Sequence, residues 1–340
     1  MPFWLDIAAF LVKSIIIVAA IGGLAVLIAR LAHSGEDRDE EPRIKVRPLN
    51  ERYESIRDAV SAPLLERKAR KALGKQRKKE KKAAKTDDGR KRVYVLDFKG
   101  DMRASAVKRL AHEIDAVLMV ARSGTDEVAL RLDSPGGTVT GYGLAAAEIL
   151  RLREGKVTVT ALVDQVAASG GYMMAVAADR IVAAPFAVVG SIGVVAPIPN
   201  LHKLLKKNDV DFEEMTAGEY KRSVSIFGEI TPAGREHFRE KLVDMHAAFK
   251  SHVVRCRPAL DIARVANGDT WLGTDALPLG LVDEIMTGDA WLFRAKDSAQ
   301  LIEVTTEARK PLMERLMGGI GAAAQRAVDF AASRISYPAQ

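Results

Sequence analysis

The strongest constraint on how this chain folds is an alternation of short apolar runs and helical stretches that begins at residue 93. Four runs have the length and β-branched content of strands: 93–98, 128–133, 157–164 and 180–184. Three stretches between and after them have helical composition: around 104–121, around 140–153 and from residue 169. Strands that alternate with helices favour a parallel sheet covered by helices. The sequence therefore predicts an α/β fold.

The N-terminus carries an apolar segment that is long enough to cross a membrane. Residues 14–29 contain no charged side chain, and extension back to residue 7 adds only Lys13 as an interruption. About 20 helical residues are needed to span about 30 Å of hydrocarbon. We expect an uncleaved transmembrane anchor within residues 1–33, with a cleaved signal peptide as the alternative. The basic residues that follow it favour a cytoplasmic position for the rest of the chain.

Most of the positive charge lies in one tract behind this segment. The chain has a net charge of +7, but residues 67–92 alone carry 14 Lys or Arg against 3 Asp or Glu. The remainder is therefore net negative, which argues against a nucleic-acid partner. We expect residues 34–92 to form a basic linker that is either simply solvated or also in contact with anionic lipid. The main domain is then predicted over 93–290, and a helical tail over 291–340.

Cysteine and histidine usage argues against a metal centre. The single cysteine, Cys256, excludes an intrachain disulfide and a cysteine-based cluster. The six histidines are scattered and contain no pair at the spacing of metal ligands. We therefore expect neither a metal nor a cofactor.

Three clusters of Gly and Ser follow predicted strands, where α/β sheets present their ligands. Paired glycines in DSPGG, at 133–137, let backbone N–H groups converge on an oxyanion, with a plain turn as the alternative. In ASGGY, at 168–172, Ser169 is either the N-cap of a helix or a nucleophile at its N-terminus. In GSIGV, at 190–194, Ser191 is either a turn residue or the partner of a catalytic group.

A serine nucleophile needs a base, and no histidine lies close to these clusters. Lysine can serve when burial leaves its amine neutral. The candidate is Lys221 in GEYK, at 218–221, which follows a predicted strand over 211–217. A surface charge is the alternative for this residue.

Taken together, these clusters resemble the signal peptide peptidase A family of membrane-anchored serine proteases (peptidase family S49), and within it the SohB-type bacterial branch. The resemblance rests on DSPGG, ASGGY, GSIGV, GEYK and the segment WLGTDALPLGLVDEI at 271–285. These five motifs occur in order, at separations similar to those of single-domain members. The resemblance covers about residues 93–290 together with the layout of the N-terminal anchor.

The resemblance implies a ClpP/crotonase-like fold and a Ser–Lys dyad. By this likeness Ser169 is the nucleophile, Lys221 the base and Ser191 the residue that orients the lysine amine. Gly136 and Gly170 would offer backbone N–H groups to the oxyanion. The family also implies a bacterial inner-membrane location, homo-oligomers whose dyads are completed between neighbouring copies, and substrates that are signal peptides or other unfolded polypeptides.

Two other readings share the fold. A crotonase-like acyl-CoA enzyme would use the same oxyanion chemistry without Ser169 or Lys221, and would bind CoA. A non-catalytic membrane scaffold would keep the architecture without hydrolysis, although the retention of both dyad candidates argues against it.

Overall fold

The computed structural model describes residues 43–64, 74, 89–218 and 220–307. Ile44–Thr306 form one compact unit, and a second unit, Met1–Arg43 with Glu307–Gln340, falls almost wholly outside the described residues. The predicted anchor and most of the basic tract at 67–92 also lie outside them. No helix in the described part of the chain combines the length and apolar character that a membrane span requires.

The compact unit contains ten strands, nine α-helices and one short 3₁₀-helix (Ala62–Leu64) within the residues described. The strands are β1 (Arg43–Pro48), β2 (Lys91–Lys99), β3 (Glu127–Asp133), β4 (Thr158–Val163), β5 (Val166–Ala168), β6 (Arg180–Ala183), β7 (Val188–Gly190), β8 (Thr270–Leu272), β9 (Glu284–Ile285) and β10 (Ala299–Glu307). The helices are α1 (Leu49–Ser61), α2 (Val107–Val120), α3 (Val139–Glu154), α4 (Gly170–Ala175), α5 (His202–Lys207), α6 (Pro232–Cys256), α7 (Ile262–Val265), α8 (Gly273–Ala276) and α9 (Gly288–Ala295).

These strands form two sheets. The larger has seven strands in the order β1-β10-β2-β3-β4-β6-β9, and the pairs from β10 to β9 are all parallel. The smaller has the order β5-β7-β8, in which β5 and β7 are parallel and β8 is antiparallel to β7. The α/β architecture and the parallel sheet predicted from the alternating pattern are therefore confirmed.

The large sheet is buried on both faces. Along β2, Tyr94, Leu96 and Phe98 join an apolar cluster with α2 and α3, whereas Val93 and Val95 join a second cluster with α1 and α9. A central parallel strand meets apolar layers above and below it, which is why this stretch of sequence is almost continuously apolar.

The compact unit extends beyond the predicted main domain, 93–290, on both sides. Before it, α1 begins at the buried Leu49, within the segment expected to be a linker. After it, β10 lies within the expected helical tail and pairs with β2 from Ala299 to Glu303.

Asn50 links these two regions, the start of α1 and the start of β10. Its side-chain Nδ2 donates to the carbonyl oxygens of Lys296 and Ala299 at 3.0 and 3.1 Å. Its Oδ1 accepts the N–H of Leu301 at 2.7 Å. A single amide thus ties the start of α1 to the start of β10, and the sequence pattern around residue 50 contains no sign of this long-range link.

The strand predicted over 211–217 is wrong. Those residues have no regular secondary structure and are exposed. Alternation of apolar and acidic residues is compatible with a strand, but a strand also needs a neighbour that accepts its hydrogen bonds. The segment immediately before Lys221 is therefore surface loop.

We predict that Asn50→Ala lowers the free energy of unfolding by about 2–3 kcal/mol, because it leaves the N–H of Leu301 without an acceptor in a partly buried site. Urea unfolding followed by circular dichroism measures the change. The matched control is Asn208→Ala: the exposed Asn208 amide donates to Leu204 O at 2.8 Å, and we expect its loss to cost less than about 0.5 kcal/mol. Equal effects for the two variants would contradict the role assigned to Asn50.

Candidate active site

Ser169 lies between β5 and α4 in a conformation that serine rarely adopts. Its φ of 52° and ψ of −118° place it outside the regions favoured by residues with a Cβ. Its N–H donates to Gly190 O at 2.8 Å, and its carbonyl accepts the N–H of Met173 at 2.9 Å. Such a conformation costs about 1–3 kcal/mol and is typical of functional sites.

The side chain of Ser169 does not cap the helix that follows it. No side-chain hydrogen bond to the first turn of α4 is formed. The N-cap alternative therefore has no support in the structure, and the hydroxyl stays available for another partner. Ser169 and Gly170 both border a surface cleft.

Gly170 places a backbone N–H beside this serine. Gly170 is buried, and its N–H has no acceptor among the described residues. A buried N–H without a partner is uncommon, because leaving it unpaired costs about 1–3 kcal/mol. At the N-terminus of a helix, such a group favours a negatively charged ligand.

The glycine pair of the DSPGG motif packs against the serine. Gly136 has a φ of +90°, and a Cβ at this position would lie 2.6 Å from the N atom of Gly170 and 2.8 Å from Cβ of Ser169. Only glycine allows this close approach. The N–H of Gly136 donates to Ser134 Oγ at 3.1 Å. Gly137 borders the cleft, and its N–H has no acceptor within the described part of the chain.

The two amides expected to bind an oxyanion therefore differ in whether their N–H already has a hydrogen-bond acceptor. Gly170 has an open N–H at the cleft, whereas the N–H of Gly136 is engaged by Ser134. Gly137, which was not singled out from the sequence, is the neighbouring residue with an open amide. Gly136 and Gly137 both belong to the DSPGG motif, but the position of the Ser134 side chain decides which of their N–H groups is free.

Ser191 lies directly behind the nucleophile candidate. It is half-buried with a φ of 51°, and its N–H donates to Asp269 O at 2.6 Å. The carbonyl of the preceding Gly190 accepts the N–H of Ser169. The Gly190–Ser191 turn therefore buttresses Ser169.

No hydrogen bond within the described part of the chain joins Lys221 to Ser169. Lys221 is exposed in a turn, where its N–H donates to Gly218 O at 3.1 Å, and it does not border the cleft. Its role as a base thus stays a prediction.

Two histidines fix helix α6 against the walls of the cleft. His246 Nε2 lies 3.1 Å from Ile192 O. Arg255 donates to His252 Nδ1 at 3.3 Å, which leaves Nε2 of that ring to donate to Met173 O at 2.9 Å. Burial lowers the pKa of His252, in agreement with a neutral ring that makes both bonds. Both imidazoles therefore have structural partners, and neither pairs with Ser169.

The cleft is small and is lined by both polar and apolar groups. Its volume is about 80 Å³. Six apolar side chains contribute to its walls: Val139, Met173, Val194, Val195, Met245 and Phe249. Sites for cofactors and drug-sized ligands usually hold roughly 300–1,000 Å³, so this cleft is small by comparison. No group of His, Cys, Asp or Glu in the described ranges has the arrangement of a metal site.

Comparison with known proteins points to one family. The family model described as "Peptidase family S49 N-terminal" matches residues 2–149, and the one described as "Peptidase family S49" matches residues 151–302. The "Probable protease SohB" of Haemophilus influenzae is 51% identical over 67% of this chain and 65% of that protein, just under two thirds of its length. The "Putative protease SohB" of Buchnera aphidicola is 38% identical over 93% of this chain and 94% of that protein.

Among solved structures, the 1510-N membrane-bound stomatin-specific protease in complex with a substrate peptide is similar at a TM-score of 0.42. It is 16% identical, and the likeness covers 68% of this chain and 98% of that chain.

We predict that stability depends on pH through His252. Its folded-state pKa is lowered, so the unfolded chain takes up a proton first as the pH falls below about 6.5. This group therefore contributes stability at neutral pH that is lost on acidification. His252→Gln, whose side-chain amide can still donate to Met173 O, should reduce the difference between the free energies of unfolding at pH 7.5 and 5.5. An unchanged difference in urea titrations would contradict this assignment.

Proposed function

The chain belongs to peptidase family S49, and from this premise we propose that it is a membrane-anchored serine endopeptidase that cleaves signal peptides or other unfolded polypeptide segments. One observation carries the proposal: the strained Ser169 keeps its hydroxyl free beside a cleft bordered by open backbone N–H groups. A serine at the start of a helix commonly uses its hydroxyl to cap the helix instead.

The reaction proceeds through an acyl-enzyme. Ser169 Oγ attacks the scissile carbonyl carbon while its proton passes to the neutral amine of Lys221. The N–H groups of Gly170 and Gly137 donate to the resulting oxyanion. As the C–N bond breaks, the lysine returns the proton to the leaving amine. A water molecule then attacks the ester, with Lys221 again as the base, and releases the second product.

The geometry around Gly170 and Gly137 suits this step. Both amides lack an acceptor in the described chain, so a developing oxyanion gains hydrogen bonds without displacing existing ones. Loss of one such donor typically lowers kcat by about 10²–10³-fold.

The lysine is proposed to come from a neighbouring copy of the chain. Lys221 is solvated in a single chain, whereas a base requires an amine kept neutral by burial. Two apolar side chains are strongly exposed in a single chain: Met215, six residues before Lys221, is 91% exposed, and Val195, at the cleft, is 86% exposed. Assembly would bury this surface and the amine together, and Ser191 would then orient Nζ.

The proposed substrate class follows from the shape of the cleft. A recess of about 80 Å³ with apolar side chains in its walls has room for a single side chain of an extended polypeptide. A ClpP/crotonase-like assembly on the membrane, held by the apolar segment within residues 1–33, would enclose such recesses.

We expect Ser169→Ala to lower cleavage of an unfolded fluorogenic protein by about 10³-fold or more, because no other group replaces the nucleophile. The purified full chain in detergent is assayed together with Ser55→Ala as the matched control. Ser55 is exposed on α1, and its hydroxyl bonds only locally to Glu51 O at 2.9 Å. If Ser169→Ala and the wild type cleave alike, the proposed nucleophile is wrong.

A mixing experiment tests the shared dyad. Chains carrying Ser169→Ala and chains carrying Lys221→Ala are inactive alone, but co-assembled chains should regain activity at about one quarter of the sites. The recovery arises where an intact serine meets an intact lysine of its neighbour. No recovery in mixed assemblies that size-exclusion chromatography shows to be intact would place the base within the same chain or elsewhere.

A further inference from the structure

Two buried hydroxyl groups lie directly behind the glycine loop. Ser134 and Tyr142 are both 0% exposed. Ser134 Oγ lies 2.6 Å from the Tyr142 hydroxyl and accepts the N–H of Gly136 at 3.1 Å. The Tyr142 hydroxyl in turn donates to Asp101 O at 2.8 Å. The four groups form one continuous chain of hydrogen bonds.

The number of protons fixes the direction of every bond in this chain. Burial raises the pKa of Tyr142, so its hydroxyl keeps its single proton, which goes to Asp101 O. The Ser134 proton must therefore go to the Tyr142 oxygen, which leaves the lone pairs of Ser134 for the N–H of Gly136. Each bond polarises the next, which strengthens the chain in a buried setting.

The packing around this pair leaves the hydroxyls no alternative position. A Cβ on Gly100 would lie 2.1 Å from Ser134 Oγ and 2.4 Å from the Tyr142 hydroxyl. A Cβ on Gly170 would lie 2.4 Å from Cγ of the Tyr142 ring. The amide beside the nucleophile and the loop that faces it thus rest on the same tyrosine.

A second bond braces the same loop from the same side. The N–H of Thr138 donates to Met102 O at 2.8 Å, one residue beyond the carbonyl that accepts the Tyr142 proton. Gly137 therefore lies between two anchored residues, Gly136 and Thr138. With both neighbours fixed, the peptide that carries its N–H has little freedom to rotate.

We propose that Ser134 and Tyr142 are positioning residues that hold the glycine loop so that the Gly137 N–H stays directed at the oxyanion. This inference rests on the proposed function, because it assigns a task to the amides that serve Ser169. The pair touches neither substrate nor nucleophile in this arrangement and acts through the Gly136 backbone.

The test compares three conservative variants of the full chain in detergent. Tyr142→Phe removes only the linking hydroxyl, and Ser134→Ala removes the acceptor of the Gly136 N–H while the ring stays in place. The matched control is Tyr172→Phe. Tyr172 is likewise 0% exposed and donates to a backbone carbonyl, Leu281 O, at 2.8 Å, but its hydroxyl has no link to the glycine loop.

Kinetics with a fluorogenic peptide separate positioning from binding. We expect Tyr142→Phe and Ser134→Ala to lower kcat by about tenfold or more with less than a twofold change in KM, because a misdirected donor weakens only the transition state. Tyr172→Phe should keep kcat within about twofold. The double variant should match Ser134→Ala alone, since the tyrosine acts through the serine.

A pair of inhibitors reports on the oxyanion site itself. Ser169 Oγ adds to the carbonyl carbon of a peptide aldehyde, and the former carbonyl oxygen then occupies the oxyanion position. The corresponding peptide alcohol has no carbonyl group and cannot form this adduct. Inhibition by the aldehyde should weaken in Tyr142→Phe by the same factor as kcat, and inhibition by the alcohol should not change.

Other outcomes overturn the inference. Wild-type kcat in Tyr142→Phe and Ser134→Ala, with Ser169→Ala inactive, contradicts the positioning role and leaves the proposed function intact. An equal loss in Tyr172→Phe, or additive losses in the double variant, identifies a general packing effect instead. Cleavage by Ser169→Ala at the wild-type rate overturns the proposed function and, with it, this inference.

Discussion

The backbone of Ser169 is held in a left-handed conformation that a serine keeps only when its surroundings fix it, and the rest of the site depends on this constraint. The N–H of Ser169 is bonded to Gly190 O, in the small sheet, and Gly136 packs against its Cβ. The small sheet therefore contributes directly to the conformation of Ser169.

The glycines of the site follow from the same constraint. A Cβ on Gly136 would collide with the N atom of Gly170, and a Cβ on Gly170 would collide with the ring of Tyr142, so neither position tolerates a side chain. Because these glycines have no side chains, the amides that border the cleft stay uncovered. Packing behind the amides fixes their orientation. They therefore need not reorganise around an oxyanion, as water molecules would.

The residues proposed as nucleophile and base lie in different structural settings. Ser169 and its neighbouring amides lie on buried elements of one chain, whereas Lys221 lies on an exposed loop after a segment without regular structure. Helix α6 belongs to the rigid part, because His246 and His252 tie it to the carbonyls of Ile192 and Met173. One chain thus brings together the groups proposed as nucleophile and oxyanion donors, whereas the proposed base would join them only on assembly.

Local pattern was enough to predict the central strands and the position of Ser169. The run at 93–98 is apolar on both faces, and a small-residue cluster after a strand begins a helix at residue 170, so periodicity and glycine content carry that information. The same approach assigned Leu49 and Asn50 to a linker and residues 211–217 to a strand. Both outcomes depend on contacts outside the local sequence. The start of α1 is held by residues near 300, whereas residues 211–217 pair with none of the described strands.

By itself, then, the sequence determined the parallel α/β sheet, the serine at the start of a helix and the glycine loops beside it, since each arises from residues adjacent in the chain. Only the tertiary structure decided that the Gly136 N–H is occupied by Ser134 while the Gly137 and Gly170 N–H groups stay open. Likewise, only the tertiary structure decided that Lys221 lies in an exposed turn and does not border the cleft beside Ser169. The physical reason is that hydrogen-bond partners are chosen by packing in three dimensions, where Ser134, Tyr142 and Asp101 meet across more than forty residues of chain.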